Sequence, residues 1–313
     1  MIKRTIEISQ GPTFVSVEND QLVLLRGSER IGQAPCEDVG VLLVDNVATT
    51  YTHAVFTRLL ERGATIVLCG PNHLPVGIVL PMESNELTAR RMRLQASAPL
   101  PMRKRLWKQI VRQKVKLQAL NLTPDDPVRG RLAAMADEVK SGDRSNVEGQ
   151  AGRFYWPAML GRQFRRDPQG AWPNALLNYG YMVLRAATAR ALVAAGLHPV
   201  FSLQHSHRNN PFALADDLLE VLRPRVDGVV KELVKSGCTS VDRPAKQRLL
   251  GILAEEAIVN GQAGPLLVQL HRLAASLLRC YEGQQKSLSL PEFPAKSPTD
   301  SQPQQASGAA DPE

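Results

Sequence analysis

The sequence predicts an α+β protein of two domains: a small N-terminal β-rich, β-sandwich-like domain followed by a larger all-α domain. Three observations carry that expectation. The first part of the chain alternates short β-branched runs with turn residues, the stretch after it has helical spacing, and 313 residues suffice for about two hydrophobic cores.

The elements follow in order. Thr13–Val17 and Gln21–Leu25 are β-rich runs around Glu18-Asn19-Asp20, which reads as a hairpin turn. Val39–Val44 is almost purely apolar, the pattern of a strand buried on both faces. Thr52–Arg62 carries Val55, Phe56, Leu59 and Leu60 at helical spacing, Gly63 ends it, and Thr65–Cys69 is a second buried strand. Residues 1–82 are thus assigned to the β-rich domain, and residues 83–101, with Pro99 and Pro101, to a hinge. Residues 102–282 are assigned to the all-α domain. Its first helix, Met102–Leu120, places Leu106, Trp107, Ile110, Leu117 and Leu120 three or four apart. Val128–Lys140, Asn146–Leu160, Asn174–Ala195, Phe212–Leu222, Asp227–Ser236, Pro244–Asn260 and Gly264–Tyr281 follow as helices, with Gly196 and His198-Pro199 stopping the long one. Residues 283–313, rich in Pro, Gln, Ser and Ala, are assigned to a disordered tail.

Composition excludes several classes. No apolar run reaches the roughly 18 residues of a membrane span, and the N-terminus does not read as a signal peptide. Cys36, Cys69, Cys238 and Cys280 lie far apart without a Cys-x-x-Cys pair, which fits reduced thiols in a cytoplasmic protein. The net charge of +8 is unevenly spread. Between Leu87 and Pro124 there are ten bases and no acid, a density that calls for a polyanion or for solvent screening. Nucleic acid is the first expectation and a solvated helix face the plainer one.

Candidate chemistry lies in the basic half. Glu148 stands near a helix start, His205 and His207 in the polar stretch Gln204-His-Ser-His-Arg-Asn-Asn210, and Asp216, Asp217 and Glu220 on the next helix. Two carboxylates and an imidazole can hold a hard divalent ion and leave positions open for water and phosphate oxygens. Each residue also has a plainer reading. Ser145-Asn-Val-Glu148 fits a capping box, the histidines fit a polar surface loop, and Asp216 and Asp217 suit a helix macrodipole. Glu220 resists that last reading, since a carboxylate late in a helix gains nothing from the dipole.

Four longer motifs occur in sequence: Glu148-Gly-Gln-Ala-Gly-Arg-Phe-Tyr-Trp156, Leu177-Asn-Tyr-Gly-Tyr-Met-Val-Leu-Arg185, Ala195-Gly-Leu-His-Pro199 and Phe212-Ala-Leu-Ala-Asp-Asp-Leu-Leu-Glu220. By these the chain resembles the CRISPR-associated integrase and endonuclease of spacer acquisition, the first-numbered CRISPR-associated protein, over about residues 5–282. The phrasing around Ser141-Gly-Asp and Asn146-Val-Glu-Gly is similar to the type II version. The resemblance implies a β-sandwich domain and an all-α catalytic domain. It also implies a magnesium or manganese site of Glu148, His205 and Glu220 with Asp217 as a neighbour, and a homodimer. Two dimers would be bridged by a small ferredoxin-like partner, acting on a prespacer DNA duplex and the CRISPR repeat. The chain departs from the family in having Leu219-Glu220-Val221 where Met-Glu-Pro is common, and in offering two histidines, of which the spacing from Asp217 favours His205.

The reaction so implied is insertion of short DNA by transesterification from a 3′-hydroxyl, with strand cleavage as its hydrolytic counterpart. The expected phosphate contacts are Arg103, Lys104, Arg105, Lys108 and Arg112 on the first basic helix, with Arg144, Arg153, Arg162, Arg165 and Arg166. Asn178 and Arg185 share a side of the long helix expected to approach DNA, and Tyr179 is a further candidate contact; Tyr155, Trp156, Tyr179 and Tyr181 fit either base stacking or a helix core, Trp156 the core first. The alternative function is a non-catalytic architectural DNA-binding subunit whose carboxylates only cap helices.

Overall fold

The computed structural model describes residues 4–71, 75–82, 88–205 and 210–294. The N-terminal part holds β1 (Arg4–Ile8), β2 (Phe14–Glu18), β3 (Gln21–Arg26), β4 (Glu29–Pro35), β5 (Val39–Val44), β6 (Thr50–Tyr51), α1 (His53–Glu61), β7 (Thr65–Cys69) and β8 (Pro75–Val79). These strands form two four-stranded sheets, ordered β1-β5-β7-β8 and β4-β3-β2-β6. The expected hairpin is present. Asn19 and Asp20 both take positive φ (49° and 61°), and Glu18 pairs with Gln21 across the turn, the twist that a two-residue hairpin needs. β1, β5 and β7 run parallel, with α1 crossing over between the last two. Every residue of β5 is buried because its two faces meet different cores. Leu42, Val44 and Ile66 pack toward α1 and the second sheet, while Val41, Leu43 and Val67 pack into the helical region. A strand covered on both faces has no reason to alternate polar and apolar residues.

The helical region comprises α2 (Thr88–Ala96), α3 (Leu100–Leu120), α4 (Pro127–Glu138), α5 (Val147–Leu160), α6 (Asn174–Ala194), α7 (Ala213–Leu219), α8 (Arg223–Lys235), α9 (Arg243–Gly251) and α10 (Leu266–Tyr281). α6 is buried nearly all round and packs against α7, α8, α9 and α10, as expected of a helix apolar on every side. Gly180 permits its approach to α8, since a Cβ there would lie 2.5 Å from Val226 Cγ1.

Three expectations are corrected. Residues 88–96 of the expected hinge form α2, which docks rather than links: Gln95 exchanges two hydrogen bonds with the His198 backbone (2.8 and 2.9 Å), and Arg91 Nη1 donates to Ala195 O at 3.2 Å. The helical region is not all-α. The helix expected to reach Asn260 ends at Gly251, and β9 (Glu256–Val259) and β10 (Gln262–Pro265) form a hairpin around Asn260-Gly261. Of the tail expected from residue 283, the part up to residue 294 is packed. Leu288 is buried, its N–H donates to Gln109 Oε1 at 2.8 Å, and Glu292 bridges to Ile258. Residues 295–313 lie outside the described residues.

Candidate metal centre

Four helices converge to build the site. α3 packs against α5, α7 and α8, which brings Lys114 from its middle between Glu148, in the first turn of α5, and Glu220, at the junction of α7 and α8. Lys114 Nζ lies 2.6 Å from Glu148 Oε1 and 2.5 Å from Glu220 Oε2. Arg223 Nη2 reaches the other oxygen of Glu220 at 3.0 Å. A carboxylate at a helix C-terminus meets the negative end of the dipole, so Glu220 needs these two cations to stay ionised in a buried place. Burial alone would raise its pKa, but Arg223 and Lys114 outweigh that and hold it below the usual glutamate value. Burial likewise pulls the Lys114 ammonium down, and Glu220 and Glu148 more than reverse it, leaving its pKa above that of an ordinary lysine.

The capping reading of Glu148 does not hold. The N-cap of α5 is Asn146, in the left-handed region at φ 53°, with its Oδ1 accepting from Gly149 N at 3.1 Å. Asp143 accepts from the Val147 and Glu148 amides at 2.8 and 3.0 Å. With the helix end tied off by Asn146 and Asp143, the Glu148 side chain turns to Lys114 instead.

His205 is held in place by Asp217. The Asp217 carboxylate is fully buried; its Oδ2 accepts from the Leu203 and Gln204 amides at 2.6 and 2.8 Å, and its Oδ1 lies 2.6 Å from His205 Nδ1. Trp107 of α3 meets the imidazole edge-on, ring centres 5.0 Å apart. That hydrogen bond to Asp217 raises the His205 pKa, burial opposes it, and Glu220 and Glu148 raise it further. A ring that donates from Nδ1 keeps its lone pair on Nε2, the arrangement by which carboxylates orient metal-binding histidines. Asp217 therefore lies behind the imidazole, its oxygens committed to amides and ring, rather than beside the glutamates as expected. His207 lies outside the described residues.

The donor set suits a hard divalent ion: two ionised carboxylates that already share one cation, with an imidazole nearby. Among the described residues no three acidic, histidine or cysteine groups stand close enough together to hold a metal ion, because the Lys114 ammonium stands between the two glutamates.

Glu148, Lys114 and Arg223 line a cavity of about 640 Å³, together with Asn146, Arg153, Trp156, Phe164, Arg165, Arg166, Tyr181 and Asp227 among others, and Glu220 lies behind them. Trp156 is half-buried in its wall, stacked between Tyr155 and Phe164 with ring centres 5.0 and 5.4 Å away. Tyr155 and Tyr181 belong to the core beneath it. Both hydroxyls donate to Asp227, whose pKa burial pushes up to about 6, and the Arg223 guanidinium lies 4.8 Å over the Tyr181 ring.

The expected DNA contacts divide. Arg144, Arg153, Arg162 and Arg165 are exposed, and Arg166 is half-buried, with Arg153, Arg165 and Arg166 lining the cavity. Arg103, Lys104 and Lys108 are half-buried on α3, and Arg105 and Arg112 are exposed. Arg105 Nε donates to Lys286 O at 3.2 Å, and Arg112 pairs with Asp137 at 2.5 Å. The long-helix residues divide in the same way, with Asn178 and Arg185 half-buried. Tyr179 is fully buried, about 6.0 Å from Lys246 Nζ at the junction with the β-sheets. Asn178 ties down the preceding loop through Pro168 O (2.9 Å) and Arg166 Nη2 (2.6 Å), and Arg185 forks onto Asp216 at 2.6 and 2.7 Å. Sequence reasoning missed Lys114, Arg223 and Asp227. Lys114 carries a visible signal, because it falls on the stripe of Trp107, Ile110, Val111 and Gln118 that α3 buries, where a solvated lysine has no place.

Residues 6–257 match the protein family described as CRISPR associated protein Cas1. The chain is 35% identical over 298 residues to the CRISPR-associated endonuclease Cas1 of Neisseria meningitidis serogroup C (strain 8013), covering 94% of this chain and 97% of that one. Two solved structures share the fold. One is described as a casposase bound to integration product (TM-score 0.76, 17% identity, 92% of this chain and 93% of that chain). The other is a Cas6-RT-Cas1--Cas2 complex (TM-score 0.74, 17% identity, 91% of this chain and 35% of that chain). With the family matched over most of its length, the chain belongs to the CRISPR-associated Cas1 family.

Proposed function

We propose that the chain is a metal-dependent DNA endonuclease and integrase that inserts short DNA segments into a CRISPR array, as part of antiviral defence. The observation that carries this reading is the meeting of Glu148 and Glu220 on one cation at the edge of a cavity walled by arginines and an aromatic ring. Two carboxylates that share a cation beside a basic cavity suit phosphodiester chemistry better than they suit helix capping. The named activity of the Neisseria relative and the integration product in the casposase structure support it.

Glu148, Glu220 and His205 would hold magnesium or manganese, with Asp217 fixing the imidazole. Such an ion supplies Lewis-acid stabilisation of charge developing on phosphate oxygens. The protein's own groups do the rest. Arg153, Arg165 and Arg166 would grip the phosphates on either side of the reacting one, and Trp156 offers a face for a terminal base. In transesterification a 3′-hydroxyl oxygen attacks phosphorus, the bond to the strand's own oxygen breaks, and the hydroxyl proton ends on the leaving alcohol. One phosphodiester replaces another, so no external energy is required. Water in place of the hydroxyl gives cleavage. A homodimer, paired with a small ferredoxin-like bridging partner, is the proposed working form; the second of the two solved structures is a complex that contains Cas2, which supports that partner.

The test is an integration assay that joins a short duplex with free 3′-hydroxyls to a supercoiled plasmid carrying repeat DNA, with manganese and the bridging partner present. Joining that needs the metal, the 3′-hydroxyl, Glu148 and His205 is the expected result. Intact, salt-sensitive DNA binding with joining unaffected by Glu148→Ala would instead make the chain an architectural subunit.

A further inference from the structure

Lys114 is the group that the metal-centre reading does not use, although it sits where the two acidic ligands of that reading meet. Its side chain is only 11% exposed, it contacts both glutamates at once, and it also lines the basic cavity. Two formal negative charges, on Glu148 and Glu220, face two positive ones, on Lys114 and Arg223. Those four charges cancel. A divalent cation taken up by the glutamates adds two positive charges, an excess that a buried site can keep only beside an anion. A phosphodiester brings one negative charge, and the pentacoordinate state of phosphoryl transfer develops a second.

We infer that Lys114 is a phosphate-binding residue of the reaction centre which, before DNA arrives, serves as the counter-cation of the two glutamates. This rests on the metal-centre reading above. Cation and ammonium compete for the same two carboxylates. Once displaced, the ammonium has the cavity as its outlet, and there the nearest complementary partner is the phosphate held by Arg153 and Arg166. Cation binding and DNA binding are thereby coupled: each is weak alone, and each strengthens the other by the same factor. A nuclease arranged in this way takes up its metal mainly when DNA is in the site.

The experiment is a calorimetric titration of Mn²⁺ into the full-length protein, with and without a short DNA duplex, for wild type, Lys114→Met and Lys114→Arg. For DNA-free protein, Lys114→Met is expected to bind Mn²⁺ about tenfold more tightly than wild type, since a competing unit charge at contact distance is gone. In wild type the duplex should tighten Mn²⁺ binding about tenfold, in Lys114→Met by much less, and Lys114→Arg should recover part of the coupling. Mn²⁺ binding that is equal or weaker in Lys114→Met overturns this inference and leaves the metal centre standing. If Lys114→Met does not fold, the wild-type coupling decides alone, and identical Mn²⁺ affinity with and without DNA overturns the inference. No Mn²⁺ binding by wild type under either condition removes the metal centre itself.

Discussion

Two buried lysine–carboxylate contacts in this molecule look alike and do different work. Lys246 of α9 pairs with Asp45, just past β5, where the two side chains are 5% and 1% exposed. Glu7 adds a second carboxylate to the field of Lys246, and the contact fastens the helical region onto the β-sheets. Lys114 meets two acids with Arg223 beside them, and the group lies against an open cavity. A lysine and a carboxylate held almost wholly out of water between two regions serve stability and cohesion. A base shared between two acids at a cavity wall leaves carboxylates that another cation can claim.

The comparison breaks most visibly if the two sites respond alike to mutation. Glu148→Ala is expected to lower DNA joining by about a hundred- to a thousandfold, with the folded state retained by circular dichroism. Lys246→Met should do the reverse. It removes the ammonium from a buried carboxylate, an expected loss of up to about 3 kcal/mol in denaturant unfolding, while Mn²⁺ affinity stays at the wild-type value.

A sharper contrast concerns orientation. Asp217→Asn keeps the amide contacts within reach but weakens the hold on His205, and an expected loss of about 10- to 100-fold in metal affinity or activity follows. The pH profile separates this from a loss of packing. A protonated imidazole cannot ligate a cation, so activity falls as pH drops, and because Asp217 raises the His205 pKa the midpoint should lie above the ordinary value of about 6.5. In Asp217→Asn the midpoint should move down. The metal-free protein shows the opposite linkage: stability from the His205–Asp217 contact is present below the unfolded imidazole pKa and is lost as pH rises through the higher folded one.

The smallest effect concerns the cavity wall. Arg153→Ala should weaken DNA binding about uniformly across sequences and reduce the slope of log affinity against log salt by about one. An unchanged slope would remove Arg153 from the phosphate contacts.

Much of the fold can be read from local chemistry. The positive-φ turn at Asn19-Asp20 and the unbroken apolar run of β5 announce their structures directly. The β9–β10 hairpin is also written in the chain, as Asn260-Gly261, but the helical spacing on either side of it masks the turn. The packing of residues 283–294 is harder to see, because a Pro- and Gln-rich composition looks the same whether or not Leu288 and Leu290 find a groove. In the site, Glu148, His205 and Glu220 are recoverable from motif and order. Lys114 disappears into a run of ten bases unless its place on the buried stripe of α3 is noticed. Tyr179 misleads for a physical reason: on a helix buried on nearly every side a large aromatic goes to the core, while Asn178 and Arg185 stay half-buried on Pro168, Arg166 and Asp216, so periodicity cannot say which side faces DNA.

The most direct test is anomalous diffraction from crystals of the full-length protein grown with Mn²⁺ and a DNA duplex. One peak is expected within ligand distance of Glu148, Glu220 and His205, with the Lys114 ammonium withdrawn from both carboxylates. Manganese at another site, with Lys114 still bridging Glu148 and Glu220, would contradict the shared-cation centre.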